Sequence, residues 1–395
     1  MSHDADSHIP KQGPFHEYSV VYTDRVFNLM SPVFQEAMVT VSTELKACYK
    51  AAATVLIPGS GTFAMEAVAR QFGLKKNVLV VRNGYFSYRW SDIMHVCDLP
   101  SHETVLQAKP VDAADARPQL APPAIDAVVA AIKEQRPALV CAPHVETSTG
   151  IILSKDYIRA LSAATHEVGG LLCIDGIAAG MVWMDMADLG VDVYVSAPQK
   201  GWTGPACVGI AMLSDAAVKV TKASQSNSFC CNLAQWLVVM EDYENKEKKG
   251  PGFKYYTTLP TDAIMQFRDR ILETKKIGYE KTQHNMEELG RRVRAELAQR
   301  GFKSVAADGW GAPGVVVVYS HIEAAVAKFK GAGLQIAGGV NWMLGQEKWA
   351  SPIDPTTMTF RLGLFGIDKV QNVDECVTRL TKAVDGILAA AAPKA

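Results

Sequence analysis

Val191-Asp192-Val193-Tyr194-Val195-Ser196-Ala197-Pro198-Gln199-Lys200-Gly201-Trp202-Thr203-Gly204-Pro205 decides how this chain is read. The apolar run Val191 to Val195 reads as a buried strand. A lysine follows it within a few residues, among small side chains and ahead of Gly204-Pro205. Most lysines are solvated. An amine in this setting is partly desolvated, which lowers its pKa and frees it as a nucleophile. Upstream, Leu171-Leu172-Cys173-Ile174-Asp175 is a second apolar run, ending in an acid that is either a loop acid or a functional carboxylate. The spacing from Asp175 to Lys200 allows one helix-and-strand crossover, so both side chains reach one crevice. Further upstream, Gly59-Ser60-Gly61-Thr62 opens the helical pattern Phe63 to Phe72. Alone this is a weak turn signal. At a helix start it offers free amides, hydroxyls and a favourable dipole for a phosphate dianion. It lacks the third glycine of a dinucleotide fingerprint.

Working outward, further apolar runs occur at Val78 to Val81, Ala138 to Ala142 and Val208 to Leu213. Helical stretches such as Pro123 to Gln135 and Lys155 to Val168 separate the runs. That alternation predicts an α/β fold with a mostly parallel sheet covered on both faces. Ligands in such sheets bind beyond the carboxyl ends of the strands. Thr147, Asp175 and Lys200 all fall at or just after such ends. Residues 1–20 read as a flexible arm, and Tyr22 to Tyr49 shows mixed helical spacing. Glu241 to Gly252 is charged, ends in Gly-Pro-Gly and reads as an exposed loop. A long helical pattern, Asp262 to Arg300, leads into a second part. There we expect strands at Val315 to Tyr319 and Thr359 to Leu364, a helix around Ile322 to Lys330 and a terminal helix from Val373. The division is an arm (1–20), a large domain (21–270) and a small C-terminal α/β domain (271–395).

A net charge of -1 argues against nucleic-acid or membrane binding through bulk charge. No apolar stretch approaches the ~20 residues needed to span a bilayer. The eight cysteines are scattered without a CxxC pair, and several lie in apolar runs. They read as reduced core residues, so we expect the cytoplasm. Adjacent Cys230-Cys231 is poor geometry for a disulfide. No histidine or acid cluster has metal-ligand spacing.

A glycine-rich phosphate turn, a strand-end aspartate and a strand-end lysine, in that order, are what a pyridoxal 5'-phosphate (PLP) site needs. The lysine forms the Schiff base, the aspartate keeps the pyridine nitrogen protonated, and the helix start holds the phosphate. The order GSGT, HVETSTG, DGIAAG, SAPQKG and TFRLGLFG resembles the class V aminotransferases, in particular the alanine–glyoxylate and serine–glyoxylate group. The resemblance covers most of residues 35–390. It implies PLP fold type I, with a mostly parallel, seven-stranded sheet in the large domain. It implies that Ser60, Gly61 and Thr62 line the cofactor phosphate with Gln199 beside them. Phe86 would stack on the pyridine, where relatives often have tryptophan and its extra donor. Thr147 would sit near the 3-hydroxyl. Tyr255 and Thr258 would reach the phosphate of the other subunit, making a homodimer with shared sites. Arg361, in an otherwise apolar strand, would bind the substrate α-carboxylate through two parallel hydrogen bonds. The substrates implied are small amino acids and 2-oxo acids, glyoxylate among them.

One region departs from the family. Relatives usually carry a Gly-Pro-Gly-Pro-type loop near the start of the fold; here the sequence is Glu17-Tyr18-Ser19-Val20-Val21-Tyr22-Thr23-Asp24-Arg25. Tyr22 and Arg25 add a hydroxyl and a cation, and a cation near the substrate side chain suits a dicarboxylic donor such as aspartate. Arg25 is equally readable as a surface ion-pair residue. Arg89 and Lys254 are further candidates for reading the donor side chain. His144 is either a donor behind the site or a packed histidine. A cysteine desulfurase needs a mobile cysteine near the substrate, and only Cys376 follows Cys231. Three further activities compete with transamination: a lyase using the same cofactor, a nucleotide-binding oxidoreductase and non-catalytic PLP binding.

Overall fold

The computed structural model describes residues 16–245, 255–345 and 354–391. Seven strands form the central sheet: β1 (Ala53–Pro58), β2 (Asn77–Arg82), β3 (His102–Gln107), β4 (Leu139–Pro143), β5 (Leu171–Asp175), β6 (Val193–Ser196) and β7 (Val208–Leu213). Their order is β1-β7-β6-β5-β4-β2-β3. Strands β6, β5, β4, β2 and β3 pair in parallel. Only β7 is reversed, lying antiparallel between β1 and β6. The carboxyl ends of the other six strands therefore open on one edge, where ligands bind in such sheets.

The helices around this sheet are α1 (Pro32–Tyr49), α2 (Gly61–Phe72), α3 (Tyr85–Val96), α4 (Ile125–Gln135), α5 (Lys155–Glu167), α6 (Asp215–Ala223), α7 (Leu233–Glu244) and α8 (Thr261–Ile277). Their starts follow from sequence. Ser31, Ser154 and Ser214 each accept a hydrogen bond from an amide three residues on, at 3.3, 3.2 and 3.2 Å. The strands β4, β5, β6 and β7 are buried along their whole length, so their apolar runs are continuous rather than alternating. Each Val, Leu or Ile fully buried there contributes roughly 1.5–3 kcal/mol.

Two expectations are corrected. The pattern Asp262 to Arg300 is not one helix: α8 ends at Ile277 and α9 (Tyr279–Gln299) begins two residues later. Gly278 between them has φ 104°, a left-handed conformation that breaks the helix and that a periodicity count does not register. The buried residues of α8, Ile264, Phe267 and Ile271, belong to the central core, whereas Met286, Leu289 and Val293 of α9 belong to a second core. Glu241 to Glu244 complete α7 rather than a loop, because Met240, Asp242 and Tyr243 are buried. Residues 246–252, and most of the proposed arm, lie outside the described residues.

The second core packs under a three-stranded antiparallel sheet of β8 (Val315–Tyr319), β9 (Ala337–Gly338) and β10 (Thr359–Gly363), in the order β8-β10-β9. Helices α10 (Ala325–Gly331) and α11 (Val373–Ala391) flank it. No helix among the described residues is long and apolar enough to cross a membrane.

Close approach of α2 to the sheet depends on Gly209 of β7. A Cβ there would press into the Ser60 carbonyl and Ala64. Gly209→Ala is expected to destabilise the protein by ~1–3 kcal/mol, as overpacking does. Urea unfolding measures this; an unchanged midpoint would mean that α2 moves away without cost.

Candidate active site

The carboxyl edge of the sheet encloses a cavity of about 210 Å³ lined by Ser60, Gly61, Thr62, Phe86, Arg89, Thr147, Asp175, Ile177, Gln199 and Lys200, among others. Nine of the residues singled out from sequence, Arg89 among them, meet here. The turn after β1 brings Ser60, Gly61 and Thr62. Helix α3, after β2, brings Phe86. The turn after β4 brings Thr147, β5 ends in Asp175, and the turn after β6 brings Gln199 and Lys200.

Ser60 is the N-cap of α2, yet its hydroxyl makes no capping bond. Among the described residues the amides of Gly61 and Thr62 have no backbone acceptor. The positive end of α2 thus faces the cavity with donors to spare. The Thr62 hydroxyl oxygen accepts a hydrogen bond from Arg89 Nη1 at 2.9 Å, which leaves its own proton free to be donated.

Asp175 is buried, and its Oδ1 accepts from the Ile177 amide at 3.0 Å. Burial pushes its carboxyl up to about 7; the Ile177 amide opposes this, the Glu146 charge adds to it and Arg89 opposes it. Lys200 is half-buried in a tight turn, with Gly204 N–H donating to the Pro198 carbonyl at 2.9 Å. Burial holds its ammonium below the ordinary lysine value, the Arg361 and Arg89 charges push the same way and Asp175 opposes them. Its Nζ lies 5.4 Å from the centre of the Phe365 ring.

Arg361 comes from β10 of the second sheet. Its guanidinium carbon is 5.9 Å from the centre of the Phe86 ring, and its Nε donates to the Gly338 carbonyl at 2.8 Å. Arg89 approaches the same ring at 5.2 Å. Sequence reasoning named Arg89 only as one of several candidates. Its position three residues after Phe86 on one helix face was the available signal.

Arg361 itself is not among the residues lining the cavity, and neither are four others named from sequence. Tyr22 packs into the central core, because its ring is apolar over most of its surface. Arg25, Tyr255 and Thr258 are exposed. Lys254 lies outside the described residues. His144 is a packed histidine: burial holds its imidazole down at about 4, Nδ1 is 3.2 Å from the Tyr194 hydroxyl, and its backbone N–H donates to the Asp175 carbonyl at 2.7 Å. Cys376, on α11, does not line the cavity.

The aminotransferase class-V family model matches residues 23–316, and the chain belongs to that family. It is therefore a PLP-dependent transaminase of fold type I. Alanine–glyoxylate aminotransferase 1 of Saccharomyces cerevisiae is 25% identical over 337 residues, covering 80% of this chain and 83% of the relative. Serine–glyoxylate aminotransferase of Methylorubrum extorquens is 28% identical over 254 residues, 64% of this chain and 60% of the relative. The crystal structure of ureidoglycine–glyoxylate aminotransferase from Bacillus subtilis superposes with a TM-score of 0.73 at 18% identity, covering 91% of this chain and 87% of that one.

The cavity fits the cofactor of this family. Free amides and hydroxyls at the start of α2 match a phosphate, and a buried carboxylate without an ion-pair partner among the described residues matches a protonated ring nitrogen.

The raised Asp175 carboxyl has a consequence for the apoprotein. Its native pKa of about 7 lies above the ~3.9 of an unfolded chain, so the native state holds the proton more tightly. The stability it contributes is full below about pH 4 and is lost as pH rises towards 7, by up to ~4 kcal/mol. Apoprotein Tm should therefore fall from about pH 5 to about pH 8 relative to the Asp175→Asn variant. Parallel Tm–pH curves for the two proteins would refute this.

Proposed function

We propose that this enzyme transfers the amino group of L-aspartate to glyoxylate, giving oxaloacetate and glycine. This is the activity of the L-aspartate–glyoxylate aminotransferase of the bacterial β-hydroxyaspartate cycle, which the N-terminal variant together with the rest of the chain resembles. Glyoxylate as acceptor is supported by relatives named for alanine–glyoxylate and serine–glyoxylate transfer. The observation that carries the donor reading is the pair of guanidinium groups, Arg361 and Arg89, at 5.9 and 5.2 Å from one ring. Aspartate has two carboxylates. Arg361 is the fork for the α-carboxylate, and Arg89 is the cation within the cavity available to the second. Arg25 is exposed and stands outside the cavity.

In this reading Ser60, Gly61, Thr62 and Gln199 hold the cofactor phosphate, Phe86 its ring face, Thr147 its 3-hydroxyl and Asp175 its ring nitrogen. When bound, PLP supplies the electron sink that makes the donor α-proton removable. Lys200 Nζ, whose ammonium is held below the ordinary lysine value by burial and by the Arg361 and Arg89 charges, takes that proton from Cα and delivers one to Cα of the product in the second half-reaction. Arg361 fixes the carboxylate so that the Cα–H bond faces Lys200.

Homodimerisation is part of the proposal. Tyr255 and Thr258 are exposed in one chain, which suits contact with the phosphate bound by a second copy. Arg25, also exposed, likewise suits a contact made across to a second copy, whereas the buried Tyr22 does not. The separate cores of α8 and α9 suit a domain boundary at Gly278, a few residues after the expected 270, and eight free cysteines support the cytoplasm.

Lys200→Ala should abolish turnover and remove the visible absorbance of the lysine-linked cofactor; retained turnover would refute the assignment. A donor screen at fixed glyoxylate, scored by kcat/KM, should rank aspartate above alanine and serine. Arg89→Met should lower the aspartate-to-alanine ratio about tenfold, equivalent to ~1.4 kcal/mol. If alanine or serine ranks first, the protein is an alanine– or serine–glyoxylate aminotransferase instead. Release of ammonia in place of amino transfer would indicate a lyase.

A further inference from the structure

Glu146 is fully buried, and the mechanism above gives it no part. Its carboxylate accepts five hydrogen bonds. Oε1 takes the amides of Phe86 at 3.1 Å and Ser148 at 2.9 Å, and the Ser148 hydroxyl at 2.8 Å. Oε2 takes the Ser87 amide at 2.8 Å and the Ser87 hydroxyl at 2.7 Å. Phe86 and Ser87 lie in the first turn of α3, where amides lack helical partners and a negative charge is favoured. Ser148 belongs to the turn that carries Thr147. One carboxylate thus joins the helix bearing Phe86 and Arg89 to the turn bearing Thr147.

Neighbouring bonds brace the same junction. The Ser148 hydroxyl oxygen accepts from the Tyr85 amide at 2.9 Å, Thr149 Oγ1 donates to the Asn83 carbonyl at 3.0 Å, and Trp342 Nε1 donates to the Ser148 carbonyl at 3.1 Å. A buried anion is costly unless its lone pairs are met. Here all five partners are donors, three of them backbone amides that a neutral side chain of the same shape does not satisfy. An amide at this position puts an NH₂ group against at least one backbone N–H, whichever way it turns.

We propose that Glu146 is a positioning residue for the cofactor ring: it locks Phe86 and Thr147 into one frame, so that the aromatic face and the hydroxyl approach the ring from fixed directions. The proposal rests on the reading of Phe86 and Thr147 as cofactor contacts.

The test is a double-mutant cycle on PLP binding to the apoprotein, read by quenching of intrinsic fluorescence, together with the visible circular dichroism of bound cofactor per mole bound. Glu146→Gln is expected to weaken PLP binding about tenfold and to halve the induced dichroism. Phe86→Ala should weaken binding comparably, and the double variant should bind no more weakly than Phe86→Ala alone, since coupled sites are not additive. Additive losses, or an unchanged dichroism signal in Glu146→Gln, would overturn the positioning role. If Phe86→Ala binds PLP as the wild type does, the reading of Phe86 fails instead, and the proposal with it. Should Glu146→Gln not fold, Ser148→Ala removes one donor to Oε1 and leaves the carboxylate. It is expected to reduce the dichroism with little change in Tm, and unaltered dichroism in that variant would also overturn the proposal.

Discussion

Six strands of the central sheet run in one direction, and the site exists because of that constraint. Their carboxyl ends must all emerge on the same edge, so five separate connections deliver Ser60 to Thr62, Phe86, Thr147, Asp175 and Lys200 to one cavity. The reversed strand β7 does not break the arrangement. It fills the gap between β1 and β6, and it is there that Gly209 lets the start of α2 come close.

The second consequence of burial is electrostatic. Asp175 sits at the end of a fully buried strand, and Lys200, half-buried in its turn, feels the charges of Arg361 and Arg89. Burial disfavours the charged form of each group, raising the carboxyl and lowering the ammonium. The carboxylate is short of a cation, as a partner for a protonated ring nitrogen should be. The amine is biased towards its neutral form, as a base should be. Glu146, buried between α3 and the Thr147 turn, adds a negative charge that both Asp175 and Arg361 feel. Geometry and charge are therefore set by the same few elements.

Much of this was legible in the chain itself. Continuous apolar runs marked β2, β4, β5, β6 and β7, because strands buried on both faces cannot alternate. Strand-end positions marked Thr147, Asp175 and Lys200. Other features left no local trace. The break at Gly278 lies between two helices of matching periodicity. Glu146 gains its role from donors some 60 residues away in sequence, and Arg89 from the placement of α3 over the cavity. Tyr22 looked polar enough to serve a substrate, but its ring found the core first.

Taken alone, the sequence determined the fold class through the periodicity of its apolar runs and pointed to the family through the order of its motifs, while strand-end position marked Lys200 and Asp175 as candidates. The tertiary structure decided which cation stands in the cavity. Arg89 rather than Arg25 lies there, because a side chain's neighbours are set by packing between distant segments and not by spacing along the chain.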